Sequence, residues 1–243
     1  MNSRSFVFVL LQRVDAAPGG ESVFTRPLLD ALRDVGELFQ KRGMQKYDTV
    51  FLAPSLPTDD LRRQKRIDWG RVEQELRKDE WWGGPNRRGF RVNQERLLPK
   101  IRTLIGAKAD ECVVTVSGAL ITPPIGWSYA LWDRVDELNA IVSLGPMNPR
   151  YWGLESEDRM SDVRVVKQRA RAALSAVVGR QLGLEACSNV RCFLFEPVMD
   201  LVQLDRMREL GKEHGLSMPD DAHYESLDSD VSAAPDGDVG EEL

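Results

Sequence analysis

AVVGRQLGLEACSNVRC, which runs from Ala176 to Cys192, is the most informative segment of this 243-residue sequence. Its first part continues a run of apolar side chains at helical spacing, and this periodicity predicts a helix over residues 163–182 that is buried on a broad face. Gly183 is predicted to end the helix, because glycine readily adopts the left-handed backbone that follows a helix C-terminus. A pair of thiols, Cys187 and Cys192, therefore comes directly after the end of a core helix.

The spacing of this segment resembles the archaemetzincin signature, H-E-x-x-H-x-x-G-x-x-H-C-x-x-x-x-C. Gly183, Cys187 and Cys192 match it in register. Other residues occupy the positions of the family's three zinc-ligand histidines and its catalytic glutamate, namely Ala176, Val177, Arg180 and Ala186. Alanine offers no lone pair, and an arginine would place a permanent cation beside a divalent ion. The resemblance therefore implies a zincin-like scaffold that has lost its hydrolytic centre.

The resemblance covers roughly residues 85–195, in the order of the family. Residues 87–90 resemble its R-R-G-Q-Y segment, residues 111–120 resemble the strand that ends in T-D-x-D-L, and residues 140–144 resemble its A-V-V-S-L strand. One departure is Leu194, which stands where the family has methionine. The resemblance implies an α/β fold, with a zincin-like or metzincin-like mixed sheet and a buried former active-site helix.

A second departure concerns metal binding. The further C-x-x-C pair of the family would fall at Lys212 and Gly215, so two of its four structural-zinc cysteines are missing. Two thiolates seldom hold a structural zinc without two further ligands. We therefore expect no cofactor and two free, partly buried thiols. The alternative is a structural zinc held by Cys187, Cys192 and His214, with Glu213 or Asp205 as a fourth ligand.

Periodicity also predicts how the chain is organised. A strand that begins at Ser5, a helix over residues 27–39 and a strand over residues 49–54 give the βαβ rhythm of an α/β sheet. Further helices are predicted over residues 68–79, 93–105 and 201–213, and a turn is predicted over residues 81–85. We expect one domain over residues 4–215. Residues 219–243 are acidic and poor in apolar side chains, which predicts a disordered tail.

Composition excludes several classes of partner. The net charge of −5 favours neither nucleic acid nor anionic lipid, because phosphate binding needs a basic surplus on the contacting face. The basic run over residues 62–66 is interpreted as a solvated face. No segment is long and apolar enough to cross a bilayer, and three cysteines do not suggest a disulfide framework. We therefore expect a cytoplasmic protein.

The favoured function is a catalytically inactive archaemetzincin-like protein, a pseudo-metallopeptidase. We expect its former cleft to bind an extended peptide or protein partner, which would pair with residues 140–144 as an edge strand. Candidate ligand-binding residues are Arg180, which can pair with a carboxylate, and the aromatic residues Trp127 and Tyr129. Two alternatives remain: an active zinc metallopeptidase with non-standard ligands, and a structural or interaction subunit.

Overall fold

The computed structural model describes residues 5–11, 25–41, 49–52, 60–82, 90–118, 120–121, 131–149, 159–196, 198, 200–211 and 214. The candidate contact residues Trp127 and Tyr129 and the acidic segment 219–243 lie outside these residues. What the sequence predicts for them therefore stays a prediction.

A five-stranded sheet forms the centre of the described fold. In spatial order its strands are β2 (Thr49–Leu52), β1 (Ser5–Leu10), β5 (Glu111–Ser117), β8 (Asn139–Ser143) and β7 (Trp132–Arg134). The first four strands are parallel, whereas β7 runs antiparallel to β8. Every residue of β5 and β8 is buried, as expected for inner strands that are covered on both faces. The predicted mixed α/β fold is confirmed.

The position of β7 corrects one prediction. Residues 140–144 were expected to form an exposed edge, but β8 has a hydrogen-bonded strand on each side. Its backbone groups are therefore already paired within the sheet. The edge of the sheet on this side is formed by β7, which pairs only with β8 among the described strands.

Helices cover both faces of this sheet. Their bounds are α1 (Thr25–Lys41), α2 (Leu61–Arg66), α3 (Trp69–Asp79), α4 (Gln94–Leu104), α5 (Arg159–Gln181) and α6 (Leu201–Arg206). Side chains alternate along β1, so that Phe6 and Phe8 pack with α1 and α5 while Val7 and Val9 pack with α3 and α4. The result is an apolar core on each side of the sheet.

A second, smaller sheet lies outside the central one. It contains β3 (Glu80–Trp82), β4 (Phe90–Val92) and β6 (Leu120–Ile121), in that order. Trp81 and Trp82 therefore belong to a strand, and the turn predicted from residue 81 is wrong for these two positions. The predicted βαβ opening and the predicted helices near residues 68–79 and 93–105 are confirmed.

The basic run over residues 62–66 is only partly a solvated face. It forms most of α2, and one of its members, Arg63, is buried to 13% exposure against Glu111 at 4%. The guanidinium donates two hydrogen bonds to that carboxylate, at 2.9 and 2.8 Å, and a third at 3.1 Å to the carbonyl of Ile105. Arg63 is therefore an internal cross-link from α2 to the start of β5.

None of the helices in the described residues combines the length and the apolar character that crossing a bilayer requires.

Candidate functional site

A cavity of about 350 Å³ lies where β7 meets the C-terminal end of α5, and we call it the cleft. Residues 131–134, which include β7, form one wall. Val177 and Arg180 from α5, together with Glu196 and Val198, complete the lining and form the part that we call the floor. Two cations and two carboxylates line the cleft, so its formal charge is balanced.

Arg180 makes the contacts that organise the floor of the cleft. Its Nη1 donates to the carbonyl oxygen of Leu184 at 2.8 Å, and its Nε lies 3.5 Å from Oε1 of Glu196. The Arg134 guanidinium donates to the Arg180 carbonyl oxygen at 2.9 Å. Cations are favoured near a helix C-terminus, where carbonyl oxygens are exposed. Arg180 therefore stands at the sequence position aligned with the family's second histidine, and the Glu196 carboxylate lies beside it.

The other three former active-site positions differ in their surroundings. Ala176 and Val177 are each 1% exposed and belong to the core, although Val177 also lines the cleft. Ala186 is exposed and does not line the cleft. None of the four side chains offers a lone pair to a metal ion. The cleft therefore has no ligand set at these positions.

Tight packing beneath α5 fixes the segment that follows it. A Cβ atom at Gly179 would lie 2.6 Å from Cδ2 of Leu194, so glycine permits the close approach of the two elements. Leu194 is 1% exposed and stands at the family's methionine position. Gly183 has a φ of 86°, which confirms the predicted left-handed end of the helix.

A second group of functional side chains lies just beyond the cleft. The ligand atoms of Cys187, Cys192 and His214 lie within 4.8 Å of one another, and we call this group the cysteine cluster. Around a tetrahedral zinc, two sulfur ligands at about 2.3 Å from the metal are about 3.8 Å apart. A contraction of about 1 Å at most would therefore seat the ion.

Backbone amides point at both sulfur atoms of the cysteine cluster. The amide of Asn189 donates to the Cys187 sulfur at 3.4 Å. The amides of Leu194 and Gly211 each donate to the Cys192 sulfur at 3.3 Å. These hydrogen bonds hold both sulfur atoms in place, and two sulfurs with an imidazole are ligand types that zinc binds. The donor set therefore fits a zinc ion.

His214 is brought to the two cysteines by a chain path that the sequence did not predict. The predicted helix over residues 201–213 is too long, because α6 begins at Leu201 but ends at Arg206. The chain instead returns beside Cys192, where the amide of Phe193 donates to the Glu209 carbonyl at 2.7 Å. This pairing brings His214 to the two thiols.

Asp205 and Glu213 were the two candidates for a fourth zinc ligand. Asp205 accepts two hydrogen bonds from Arg169, at 2.7 and 2.6 Å, and this ion pair ties α6 to α5. Its carboxylate is therefore committed elsewhere, and it is not part of the cysteine cluster. Glu213 lies outside the described residues.

Two residues of the cleft were missed by sequence reasoning. Glu196 and Arg134 carry no motif, and each acquires its role from a contact with a residue distant in the chain. A weak signal existed for Glu196, since it follows the matched signature by four residues and an arginine at position 180 requires a counter-charge.

Comparisons with known proteins support the fold. No family model and no curated protein sequence matches the chain. The structure is similar to an archaemetzincin from Methanopyrus kandleri, with a TM-score of 0.51 and 16% identity over 84% of this chain and 86% of that one. At that identity the likeness shows an archaemetzincin-like fold and nothing finer.

Two further solved structures are similar at lower scores. One is a zinc-dependent peptidase from Methanocorpusculum labreanum, with a TM-score of 0.49 and 16% identity over 86% of this chain and 97% of that one. The other is an archaemetzincin from Archaeoglobus fulgidus complexed with malonate, with a TM-score of 0.48 and 13% identity over 86% and 96% of the two chains.

Proposed function

We propose that this archaemetzincin-like fold is a pseudo-metallopeptidase that binds an extended, acidic peptide in its cleft without hydrolysing it. The observation that carries the proposal is the ion pair between Arg180 and Glu196 on the cleft floor. A permanent cation repels a divalent ion at short range, and its paired carboxylate is directed at the guanidinium. The former hydrolytic centre is thereby converted into a site for a ligand carboxylate.

The edge strand supplies the second part of the binding mode. An extended peptide can add to β7 by main-chain hydrogen bonds, which require no metal. The peptide would then run past Arg134 and Arg180, which both line the cleft. Arg180 already has Glu196 as its partner, so an acidic side chain of the peptide must displace that carboxylate to reach the guanidinium.

The test is a peptide array probed with the full-length protein, followed by affinity measurements on the best binder. Arg180→Ala should weaken binding by at least about tenfold, because a hydrogen bond to a charged group contributes roughly 1.5–3 kcal/mol. Glu196→Gln should strengthen binding, since it removes the competing charge. Arg164→Ala, an exposed position on the same helix, is the matched control. Unchanged binding in Arg180→Ala would reject the proposed site.

The alternative of an active zinc peptidase with non-standard ligands makes a different prediction. It requires cleavage of a peptide that stops when a chelator removes zinc and resumes when zinc is restored. Incubating the same array peptides with zinc-loaded protein and following them by mass spectrometry separates the two functions. Chelator-sensitive cleavage would overturn the non-hydrolytic proposal.

A second proposal concerns the cysteine cluster, which we propose binds a structural zinc ion. The three convergent ligand atoms and the three amide donors to sulfur support it. Metal analysis of the purified protein should find close to one zinc per chain, and Cys192→Ser should abolish it. Cys112→Ser is the matched control, because Cys112 is buried in β5 and is not part of the cluster. Equal zinc content in all three proteins would reject the site.

A further inference from the structure

We infer that zinc in the cysteine cluster holds Glu196 against Arg180, so that metal occupancy regulates whether the cleft accepts a carboxylate ligand. The inference rests on the proposed binding role of the cleft and adds a means of control to it. It concerns the connection between two sites that lie on one short segment of chain.

The segment from Leu184 to Glu196 carries parts of both sites. Arg180 binds this segment at its two ends, through the Leu184 carbonyl at 2.8 Å and the Glu196 carboxylate at 3.5 Å. Both cysteines of the cluster lie between these two contacts. A shift of the cysteines therefore acts on a segment that Arg180 holds at both ends and whose Glu196 end lines the cleft.

Backbone hydrogen bonds make the connection direct on the side of Cys187. Its amide donates to the Leu194 carbonyl at 2.8 Å, and its carbonyl accepts from the Glu196 amide at 3.2 Å. Cys187 is thus held between Leu194 and Glu196 in a small parallel pairing. A metal ion that fixes the Cys187 sulfur therefore also fixes the backbone of the residue that pairs with Arg180.

The other ligands anchor this pairing to the rest of the domain. Cys192 is attached to the chain after α6 through the amide of Gly211, and His214 lies three residues further on. Metal binding requires two thiolates and a neutral imidazole, and the bound cation compensates the repulsion between the two thiolates. Loss of the metal therefore removes a cross-link and loosens the segment.

The direction of the effect follows from these contacts. With zinc bound, Glu196 stays near Arg180 and competes with a ligand carboxylate. Without zinc, Glu196 is released more easily and the guanidinium becomes available. Because coupling between two sites is reciprocal, breaking the pair between Arg180 and Glu196 must weaken zinc binding by the same factor by which zinc strengthens the pair.

The experiment measures zinc affinity of the full-length, metal-depleted protein by competition with a chromophoric chelator. Arg180→Ala and Glu196→Gln should each weaken zinc binding by about tenfold, within the range usual for coupled sites. Arg164→Ala should match the wild type, and Cys192→Ser should lose the site. Glu196→Gln preserves the shape of a partly exposed side chain, so folding is not at issue in that variant, and circular dichroism checks it.

The outcomes separate this inference from the proposed peptide-binding function. Zinc affinities of Arg180→Ala and Glu196→Gln equal to the wild type would overturn the coupling, as would a wild type that binds no zinc through Cys192. Peptide binding is not part of the measurement. A tenfold loss of zinc affinity in a protein that binds no peptide would therefore reject the cleft ligand and retain the coupling.

Discussion

The C-terminal end of α5 and the loop that follows it belong to the same peptidase-like frame, yet they present opposite chemistry to a metal ion. On the helix, the positions aligned with two ligand histidines and the catalytic glutamate hold Ala176, Arg180 and Val177, and the guanidinium of Arg180 pairs with Glu196. In the loop, two thiols and His214 converge within 4.8 Å. A catalytic metal site requires all of its ligands, whereas a structural metal site requires only that the bound ion connect the chain segments.

Under the proposed function, Arg180 takes over one structural task of a metal ion. A zinc ion bound by residues of a helix and of the following turn joins the two elements. Arg180 joins the same elements through the Leu184 carbonyl and the Glu196 carboxylate. The proposed replacement would preserve a cross-link without a Lewis acid. The cysteine cluster, by contrast, retains donors that suit only a soft or borderline metal ion.

The largest expected effect is that of removing zinc from the cysteine cluster. With zinc at about a thousand times its dissociation constant, chelation should lower the free energy of unfolding by about 4 kcal/mol. For a domain of this size, that corresponds to a fall in Tm of roughly 8–16 °C. Thermal unfolding with and without chelator measures it. Cys192→Ser should be insensitive to chelator, and a wild type equally insensitive would remove the contrast between the two regions.

The next effect compares the ion pair of the cleft with a buried one. Arg63→Ala should destabilise the protein by about 3 kcal/mol, because it leaves the Glu111 carboxylate buried without its partner. Arg180→Ala should cost roughly 1–2 kcal/mol, since Arg180 and Glu196 are 27% and 38% exposed. Urea unfolding of the two variants measures both. Equal losses would show that the cleft pair is a core element and not an exchangeable one.

A third prediction tests the packing between α5 and the loop. Gly179→Ala should destabilise by about 1–2 kcal/mol, because the new methyl group would overlap Leu194, which is itself buried. Gly70→Ala is the matched control, since its nearest neighbour would be the Asp68 carboxylate at 3.4 Å. That variant should stabilise by up to about 1 kcal/mol through helix propensity. Gains in both variants would mean that the loop adapts freely to the helix.

The sequence predicted the repeating parts of this fold better than its exceptions. Helical periodicity located α1, α3, α4 and α5, since burial of one face imposes a regular spacing. The edge strand was assigned wrongly to residues 140–144, because β7 has only three residues and too short a pattern to detect. A strand's position within a sheet depends on its partners, and its own residues do not specify them.

The candidate site shows the same limit. The absence of the family's three ligand histidines at positions 176, 180 and 186 and of its glutamate at 177 could be read directly, because it depends only on residue type and spacing. His214 was named as a candidate third ligand in the alternative interpretation, and it does lie beside the two cysteines, although the helix predicted before it was too long. Glu196 was missed, since a salt bridge between distant residues follows from the fold and leaves no periodic signal.

The smallest effect isolates the buried pair by its dependence on pH. Burial alone would raise the pKa of Glu111, but the hydrogen bonds from Arg63 and from the Lys108 amide outweigh it and hold the pKa below its ordinary value of 4.5. A depressed folded-state pKa gives stability that is present above the unfolded-state pKa and is lost as the pH falls through the folded-state value. Urea unfolding should therefore show stability declining from about pH 5 downward, and less steeply in Glu111→Gln.

This measurement belongs in the Cys192→Ser background, because acid also protonates metal ligands and would release zinc over an overlapping range. In that background the remaining difference between the two pH profiles reports the buried pair and not the cluster. Parallel profiles would mean that Glu111 is held no more favourably in the folded chain than in the unfolded one. The buried pair would then contribute no charge-dependent term, and the comparison would rest on the cleft pair and the cysteine cluster.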